Sequence, residues 1–397
     1  MKLQLVKSAK SFLVSKMQPT DKSYDFKYDI LSKYYKSDYT RSDDSENTII
    51  TVILKNANGP SSSSFIRLIS PLVRLNKYKI EIIDGNDFDD VNIKSAICIV
   101  QRIALKSQGD AKKLTRILRS NKIPLFTDTD DAFCNVDVTH PEYEDIKERS
   151  DALTYLIENA DINMFSTHLL AKIYNKLANR SDGIVIENTL DEHLWSRWYN
   201  HNLTTSVRSP LQILYMGTPT HDADFSLVEE VLEEIHLKSP GSFEMSVIGV
   251  SRHLQSREWM NILQTEDILY PGFVNWFSQQ GPFDIGVAPL LDSDFNNNKS
   301  DIKCLDYIAI GAHPIVSDVT AYNNLDLNSL ITRVENSRDD WYYAIMSAIN
   351  EKQQIRDNTE AKERGYKYLS SKRSSTVAMN RLHKLFAIYI NADRSHE

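Results

Sequence analysis

Cysteine is scarce in this sequence: three in 397 residues, Cys98, Cys134 and Cys304, far apart and with no Cys-x-x-Cys pair. That fits a reducing compartment and argues against a disulfide framework or a cysteine zinc site. No apolar run approaches the roughly 20 residues that a membrane-spanning helix needs. Positive charge is not in excess either. The formal net charge is -8, which points away from general nucleic-acid binding. No Walker loop and no Gly-x-Gly-x-x-Gly is present. The first residues, MKLQLVKSAKSFLVSKM, have no long apolar centre, so no secretory leader is expected. Leu3, Leu5, Val6, Phe12, Leu13 and Met17 among Lys2, Lys7, Lys10 and Lys16 read as a docked surface helix or a basic membrane-surface helix.

What is present is a soluble composition, 41% hydrophobic and 25% charged, on a chain too long for one ordinary core. Residues 18–47 are polar and tyrosine-rich, an extension without periodicity. Short β-rich runs then alternate with helical patterns: TIITVIL, YKIEII, AICIVQ, IPLFT, INMFS and GIVIEN. Such alternation predicts a parallel sheet covered on both faces. After the polar linker YNHNLTTSVRSP it restarts with LQILYMG and FEMSVIGV, a helix near Trp259, then DILYPG, FDIGVAPL, a helix after Lys299, and HPIVSD. A helical pattern from about 355 to 391 ends with an apolar face that includes Leu382, Leu385, Phe386 and Tyr389. The expected domains are an extension (1–47), a first Rossmann-like domain (48–205), a second (206–375) and a C-terminal helix (376–397) packing back on the first. Ligands of such sheets sit beyond the carboxyl ends of the strands, so the residues there carry the functional expectations.

After the first strand, Gly59-Pro60 leads into Ser61–Ser64, either N-caps or a hydroxyl-lined ligand wall. After the fourth, Asp128, Asp130 and Asp131 crowd together. Like charges so close need a cation, a sugar hydroxyl or a cap. Two functional readings compete with simple capping. One is a magnesium-dependent phosphotransferase or phosphatase using Asp128 and Asp130; the other is carboxylates handling an acceptor hydroxyl. In the second domain, Gly217 at a strand end permits close backbone approach, and Gly217 and Thr218 suit a diphosphate. His221 reads as a helix-start residue or a catalyst.

The stretch FNNNKSDIKCLDYIAIGAHPIVSD is the most informative. Ser300 is expected to cap a helix, Asp301 to sit in its first turn, and Gly311 to end it. Ile302, Leu305, Ile308 and Ala309 make a buried stripe. Asn296, Asn298, Lys299, Lys303 and Asp306 are left over. Two lysines at a helix start are an anion site, and a carboxylate further along suits ribose hydroxyls.

At these residues the chain resembles the GT-B glycosyltransferases, in particular the family 4-like retaining enzymes. Asp306-Tyr-Ile-Ala-Ile-Gly311 and Pro314-Ile-Val316 match the second half of their Glu-x7-Glu signature and the strand behind it. YMGTPTHDADF, YPGFVNWF and PLFTDTDDAF are similar to bacterial polysaccharide and lipopolysaccharide glycosyltransferases. The resemblance spans about 48–320. It implies an α/β, GT-B fold with two Rossmann-like domains whose parallel sheets face across a cleft. It implies transfer of a hexosyl or deoxyhexosyl group from a nucleotide-diphosphate sugar to a growing glycan or glycolipid such as O-antigen, lipopolysaccharide or capsule. No cofactor, no metal and no nucleic acid are implied. The site would be cytoplasmic, with peripheral contact at the inner membrane. Asn298 stands where the family has its first Glu, and Asp306 replaces the second, which leaves a non-catalytic partner subunit as another reading. Gly217, Thr218, Asn298, Lys299, Ser300, Lys303 and Asp306 are then expected to hold the donor, with Arg252 and Arg257 as further diphosphate candidates. Ser61, Ser62, Arg102, Asp131 and His140 are expected to meet the acceptor, and Asp128, Asp130 and Lys303 to serve the chemistry.

Overall fold

A computed structural model describes residues 48–75, 78–90, 93–136, 138, 142–195, 210–217, 222–249, 257–265, 267 and 269–394. The expectations for residues 1–47 and for His140, Thr218, His221 and Arg252 lie outside these residues. The first sheet comprises β1 (Thr48–Leu54), β2 (Tyr78–Asp84), β3 (Ile97–Gln101), β4 (Leu125–Thr129), β5 (Ile162–Phe165) and β6 (Ile184–Val185). All are parallel, in the order β2-β1-β3-β4-β5-β6. The central strands β3 and β4 are buried along their whole length, as helices on both faces require. Those helices are α1 (62–73), α2 (Gln108–Ser120), α3 (Tyr143–Asn159) and α4 (His168–Leu177). A capping box of Ser107 and Asp110 starts α2, and the Thr167 hydroxyl caps α4.

The second sheet comprises β7 (Leu211–Met216), β8 (Phe243–Ile248), β9 (Met260–Leu263), β10 (Ile285–Ala288), β11 (His313–Ser317) and β12 (Thr332–Val334). It is parallel in the order β12-β11-β10-β7-β8-β9. The order reverses between β7 and β10, which is where a doubly wound sheet opens a crevice for a ligand. Its helices are α5 (Asp222–Lys238), α6 (Tyr270–Phe277), α7 (Ile302–Ala309) and α8 (Arg338–Asn350). The chain closes with α9 (Lys352–Asp357), α10 (Thr359–Lys372) and α11 (Ser375–Arg394).

Three local expectations are corrected. Strand β4 begins two residues later than the pattern IPLFT suggests. Pro124 has no N–H for the ladder, whereas the Leu125 N–H is taken by the Asp161 carboxylate at 2.8 Å. Asp128 therefore lies inside the sheet. Around Trp259 a strand forms in place of a helix, because Met260–Leu263 pairs with β8. The helix comes later, over the expected strand DILYPG, with Pro271 in its first turn, where a missing N–H costs nothing.

The long C-terminal pattern is broken at Arg373 and Ser374, and this break holds the domains together. Leu190 N–H donates to Arg373 O, and Ser375 N–H donates to Leu190 O, each at 2.8 Å. The two chain crossings thus lie side by side. Glu192 caps α11 through the Ser375 N–H at 3.0 Å and hydroxyl at 2.7 Å. Beyond the crossing α11 packs on the first domain. Phe386 meets Phe126 at 5.9 Å and Tyr78 at 5.8 Å, and Tyr389 meets Phe126 edge-on at 5.1 Å. Phe65 of α1 stacks on Tyr270 of α6 at 6.1 Å, a further apolar contact across the divide.

Candidate functional site

The site is anchored from below by α7. Gly286 in β10 leaves room for the Tyr307 ring; a Cβ there would fall 2.2 Å from it. Tyr307 donates its O–H to Val287 O at 2.9 Å and accepts the Met216 N–H at 3.2 Å. The helix is thereby clamped under the ends of β7 and β10, where the strand order reverses. Gly311, at φ 75°, ends it as expected. Its start differs from expectation. Asp301 takes the N-cap position and no side chain caps the helix. The Asp301 carboxylate is held by Arg373 at 2.5 and 2.9 Å and by Asn324 at 3.0 Å.

On this anchored helix, Lys303 Nζ and Asp306 Oδ1 are buried and have no hydrogen-bond partner. Lys303 lies 5.4 Å from the Tyr215 ring centre. Burial, reinforced by the Lys299 charge, pulls its ammonium down to about 8. Burial pushes the Asp306 carboxyl up to about 8 against the pull of Lys303. Asn298 is in the same state. Its Nδ2 donates to Asp294 O at 2.5 Å, while its Oδ1 is buried and unmatched. Lys299 lies over the Phe295 ring at 5.0 Å. At the neighbouring strand ends, Gly217 N–H binds Ile248 O at 3.0 Å. A Cβ on Gly249, at φ 75°, would fall 2.1 Å from Gly217 O, so the two loops leave their strands in contact. Arg257 is placed elsewhere, paired with Glu229 at 2.7 Å and Glu233 at 2.6 Å on α5.

The wall from the first domain is built on the end of β4. Asp128 receives Arg67 in a fork, with contacts of 2.6, 2.9 and 3.0 Å, and Gln101 Nε2 at 3.1 Å. Both side chains of the Arg67–Asp128 pair are sealed, 1% and 2% exposed. Such a carboxylate has no open face for a nucleophile. Asp130 and Asp131 straddle Arg102, at 3.1 and 2.7 Å. Arg102 sits in the left-handed region, φ 55°, with its guanidinium 4.9 Å over Phe133. A non-glycine residue held there signals a local geometry fixed by its surroundings. Burial opposes ionisation of Asp130, but Arg102, Arg67 and a hydrogen bond from Ser63 outweigh it and hold its carboxyl below the ordinary value. Burial and the neighbouring Asp130 charge push Asp131 up, against Arg102 and Lys299. The Asp130 oxygen that meets Arg102 is Oδ1, buried and paired by charge but out of line for a hydrogen bond. Ser61 caps α1 through the Ser64 N–H at 3.3 Å, and Ser62 is exposed beside it.

The two walls touch. Thr167 Oγ1 donates to Asn298 O at 3.4 Å, and Asn188 Nδ2 donates to Ser300 Oγ at 2.7 Å. Residues 298–300 of the second domain thus close against the first, and the Lys299 charge reaches Asp131.

No family model and no curated protein matches this chain. Solved structures do. A sucrose-phosphate synthase from Thermosynechococcus elongatus superposes with a TM-score of 0.60 at 10% identity, over 87% of this chain and 100% of that one. HepE of Anabaena in complex with UDP-glucose gives 0.58 at 8% identity, over 86% and 100%. An α-glucosyltransferase in complex with UDP and a 13-mer DNA gives 0.58 at 11%, also over 86% and 100%. The chain has the GT-B fold.

Four parts of this GT-B cleft are not among the residues the sequence pointed to: Arg67, Asn188, Arg373 and the Tyr307–Gly286 fit. The π turn over Phe65–Ile69 buries Arg67 together with its apolar neighbours. A regular 3.6-residue period, with Phe65, Leu68, Ile69 and Leu72 inward, leaves that arginine at the margin. A charged residue inside the apolar run FIRLISPLV was the available signal. Asn188 and Arg373 gave none, because their partners lie far off in the chain: Arg67, Ser300 and Arg373 are 121, 112 and 185 positions from Asn188, and Asp301 is 72 from Arg373.

Proposed function

We propose that this chain is a glycosyltransferase that moves a sugar from a nucleotide-diphosphate sugar to a hydroxyl of a growing glycan or glycolipid. The observation that carries the reading is the pair of buried, unpartnered groups Lys303 Nζ and Asp306 Oδ1 beneath the crevice of the second sheet. A native interior rarely leaves an ammonium and a carboxylate without hydrogen bonds, since each costs several kcal/mol. The arrangement is understandable if a ligand supplies the missing partners. A diphosphate suits Lys303 and Lys299, with Ser300 and Gly217 around it, and ribose hydroxyls suit Asp306. HepE crystallised with UDP-glucose supports this class of donor.

In the mechanism we propose, the leaving diphosphate is stabilised by the two ammonium groups and by hydrogen-bond donors of the crevice, with no metal ion. Asn298 Oδ1 accepts a hydroxyl of the transferred hexosyl or deoxyhexosyl group. The acceptor enters over Ser61, Ser62, Arg102 and Asp131. Its hydroxyl attacks on the face that the diphosphate leaves, with retention, and passes its proton to a leaving-group oxygen or to Asp130. Asp130 is the better placed of the two aspartates, because Asp128 is spent on Arg67. The acceptor we propose is a bacterial surface polysaccharide such as O-antigen, lipopolysaccharide or capsule, extended at the cytoplasmic face of the inner membrane. Among the described residues no helix is long and apolar enough to cross a membrane.

A thermal-shift panel of UDP, GDP, dTDP and ADP with their common sugars tests the reading. A donor at one hundred times its dissociation constant stabilises the fold by about 2.7 kcal/mol, and at the same concentration Lys303→Ala should cut this to about 0.4–1.4 kcal/mol. A flat response to the whole panel would refute the proposal.

A further inference from the structure

We infer that Asn188 is a positioning residue that keeps the Ser300 hydroxyl proton available for the donor diphosphate. The inference rests on the glycosyl-transfer reading and adds to it a residue from the opposite domain. The argument is one of hydrogen-bond polarity. Arg67 carries only donors. Its Nη1 contacts Ile186 O and the Asn188 side chain, both at 2.8 Å. The Asn188 atom facing it must therefore be the carbonyl oxygen. That fixes which way the amide points, a choice that position alone leaves open. The amide nitrogen then faces Ser300 Oγ at 2.7 Å. An amide N–H cannot accept, so the serine oxygen accepts and its own proton must be used elsewhere.

Among the described residues nothing takes that proton. Asp301, the adjacent carboxylate, is engaged by Arg373 and Asn324. Ser300 lies one residue after Lys299 and two before α7, on the side of the helix start where anions are favoured. The hydroxyl proton that Asn188 leaves over, next to Lys299 in the chain and at the start of α7, suits a phosphate oxygen, which can only accept. Asn188 is itself immobilised from a third side, since its main-chain oxygen accepts Arg373 Nε at 2.9 Å. The relay runs Asp128, Arg67, Asn188, Ser300. A saturated ion pair in one domain thus sets the hydrogen-bond direction at the ligand site of the other, and Asp128 acts at a distance from the reacting atoms.

Isothermal titration of the full chain with UDP, GDP, dTDP and ADP tests this. Asn188→Asp still accepts from Arg67 but turns Ser300 inward, because a carboxylate only accepts. It should lower the affinity for the preferred diphosphate about tenfold, as for one charge-assisted hydrogen bond. Ser300→Ala should do the same, and the double variant should be no weaker than either single one. Full additivity would mean that the new charge acts by repulsion alone and would overturn the inference. So would unchanged affinity in Asn188→Asp. If that variant does not fold, Asn188→Ala with the same cycle serves: its smaller loss should vanish once Ser300 is alanine, and persistence of the loss counts against the relay. A wild-type chain that binds none of the four diphosphates defeats the glycosyl-transfer reading itself, an outcome separate from a failed cycle.

Discussion

Two buried pairs of a basic and an acidic side chain, one in each domain, are built on opposite principles. Arg67 and Asp128 meet in a fork that leaves neither side chain without partners, with Gln101, Ile186 O and Asn188 completing the shell. Lys303 and Asp306 lie three residues apart on α7, influence each other's ionisation, and each leaves a polar atom without any partner. The first pair is finished within the protein. The second is complete only with something bound. Burial of ionisable groups is common to both, and what separates structural from functional use is the hydrogen-bond count. A saturated pair resists any change to one member, whereas an unsaturated one tolerates removal of its charge and loses only the ligand.

The largest effect expected from this contrast is on stability in the first domain. Arg67→Ala removes every strong donor from Asp128 and strands a sealed carboxylate. Breaking a buried pair in this way costs about 3–5 kcal/mol. Urea denaturation should place the midpoint far below wild type or find no folded protein. A loss under about 1 kcal/mol would mean that the pair is not the structural element we take it for. Lys303→Ala should behave oppositely, with a normal fold and a selective loss of diphosphate binding. Removing one charge-assisted contact is worth about 1.5–3 kcal/mol, roughly a tenfold to hundredfold rise in Kd by titration.

A third test uses pH. Lys303 is pulled down to about 8 and Asp306 is pushed up to about 8. At pH 7 the lysine is mostly cationic and the aspartic acid mostly neutral, so the pair attracts an anion. At pH 9 the lysine is mostly neutral and the aspartate charged, and the attraction is reversed. Diphosphate affinity should fall as pH rises through about 8, by up to about tenfold per pH unit for each proton that binding requires. In Lys303→Met the fall should be much shallower. An affinity that is constant between pH 7 and 9 would separate this pair from the ligand.

The sequence carried much of one pair and little of the other. Lys303 and Asp306 stood out because both are polar residues on a short helix whose other positions form an unbroken apolar stripe, so their positions alone raised the question of a partner. The alternation of strands and helices was readable for a related reason, since most of the short apolar runs form one buried strand each, DILYPG being the run that became a helix instead. Arg67 was hidden because a π turn changed the period on which the reading depended. Asp128 was read as facing the cleft because β4 was placed two residues early, and that slip moved the carboxylate from the sheet to its rim. Asn188 and Arg373 are tertiary by nature, since their partners are brought together only when the chain crosses between domains. Local periodicity cannot report such contacts.

The smallest effect is also the one with the least intuitive sign. Lys303→Met replaces an ammonium that lacks hydrogen bonds with an apolar chain of similar length, resting on Tyr215. The folded protein holds Lys303 at about 8, below its ordinary value, so the unfolded chain binds the proton more tightly. Stability from this group therefore increases as pH rises from about 8 toward 10, and the penalty is full below about 8. Removing the charge should lift that penalty and stabilise the ligand-free protein at pH 7. Asp306, mostly neutral at pH 7, loses little with the lysine, and the net gain should be modest, about 1 kcal/mol. Thermal unfolding without ligand would register this as a rise of about 2 °C for a chain of this size. The same variant should melt below wild type once a saturating diphosphate is added. Destabilisation in both conditions would show that Lys303 already has the partners it needs within the fold, and that the two pairs are alike after all.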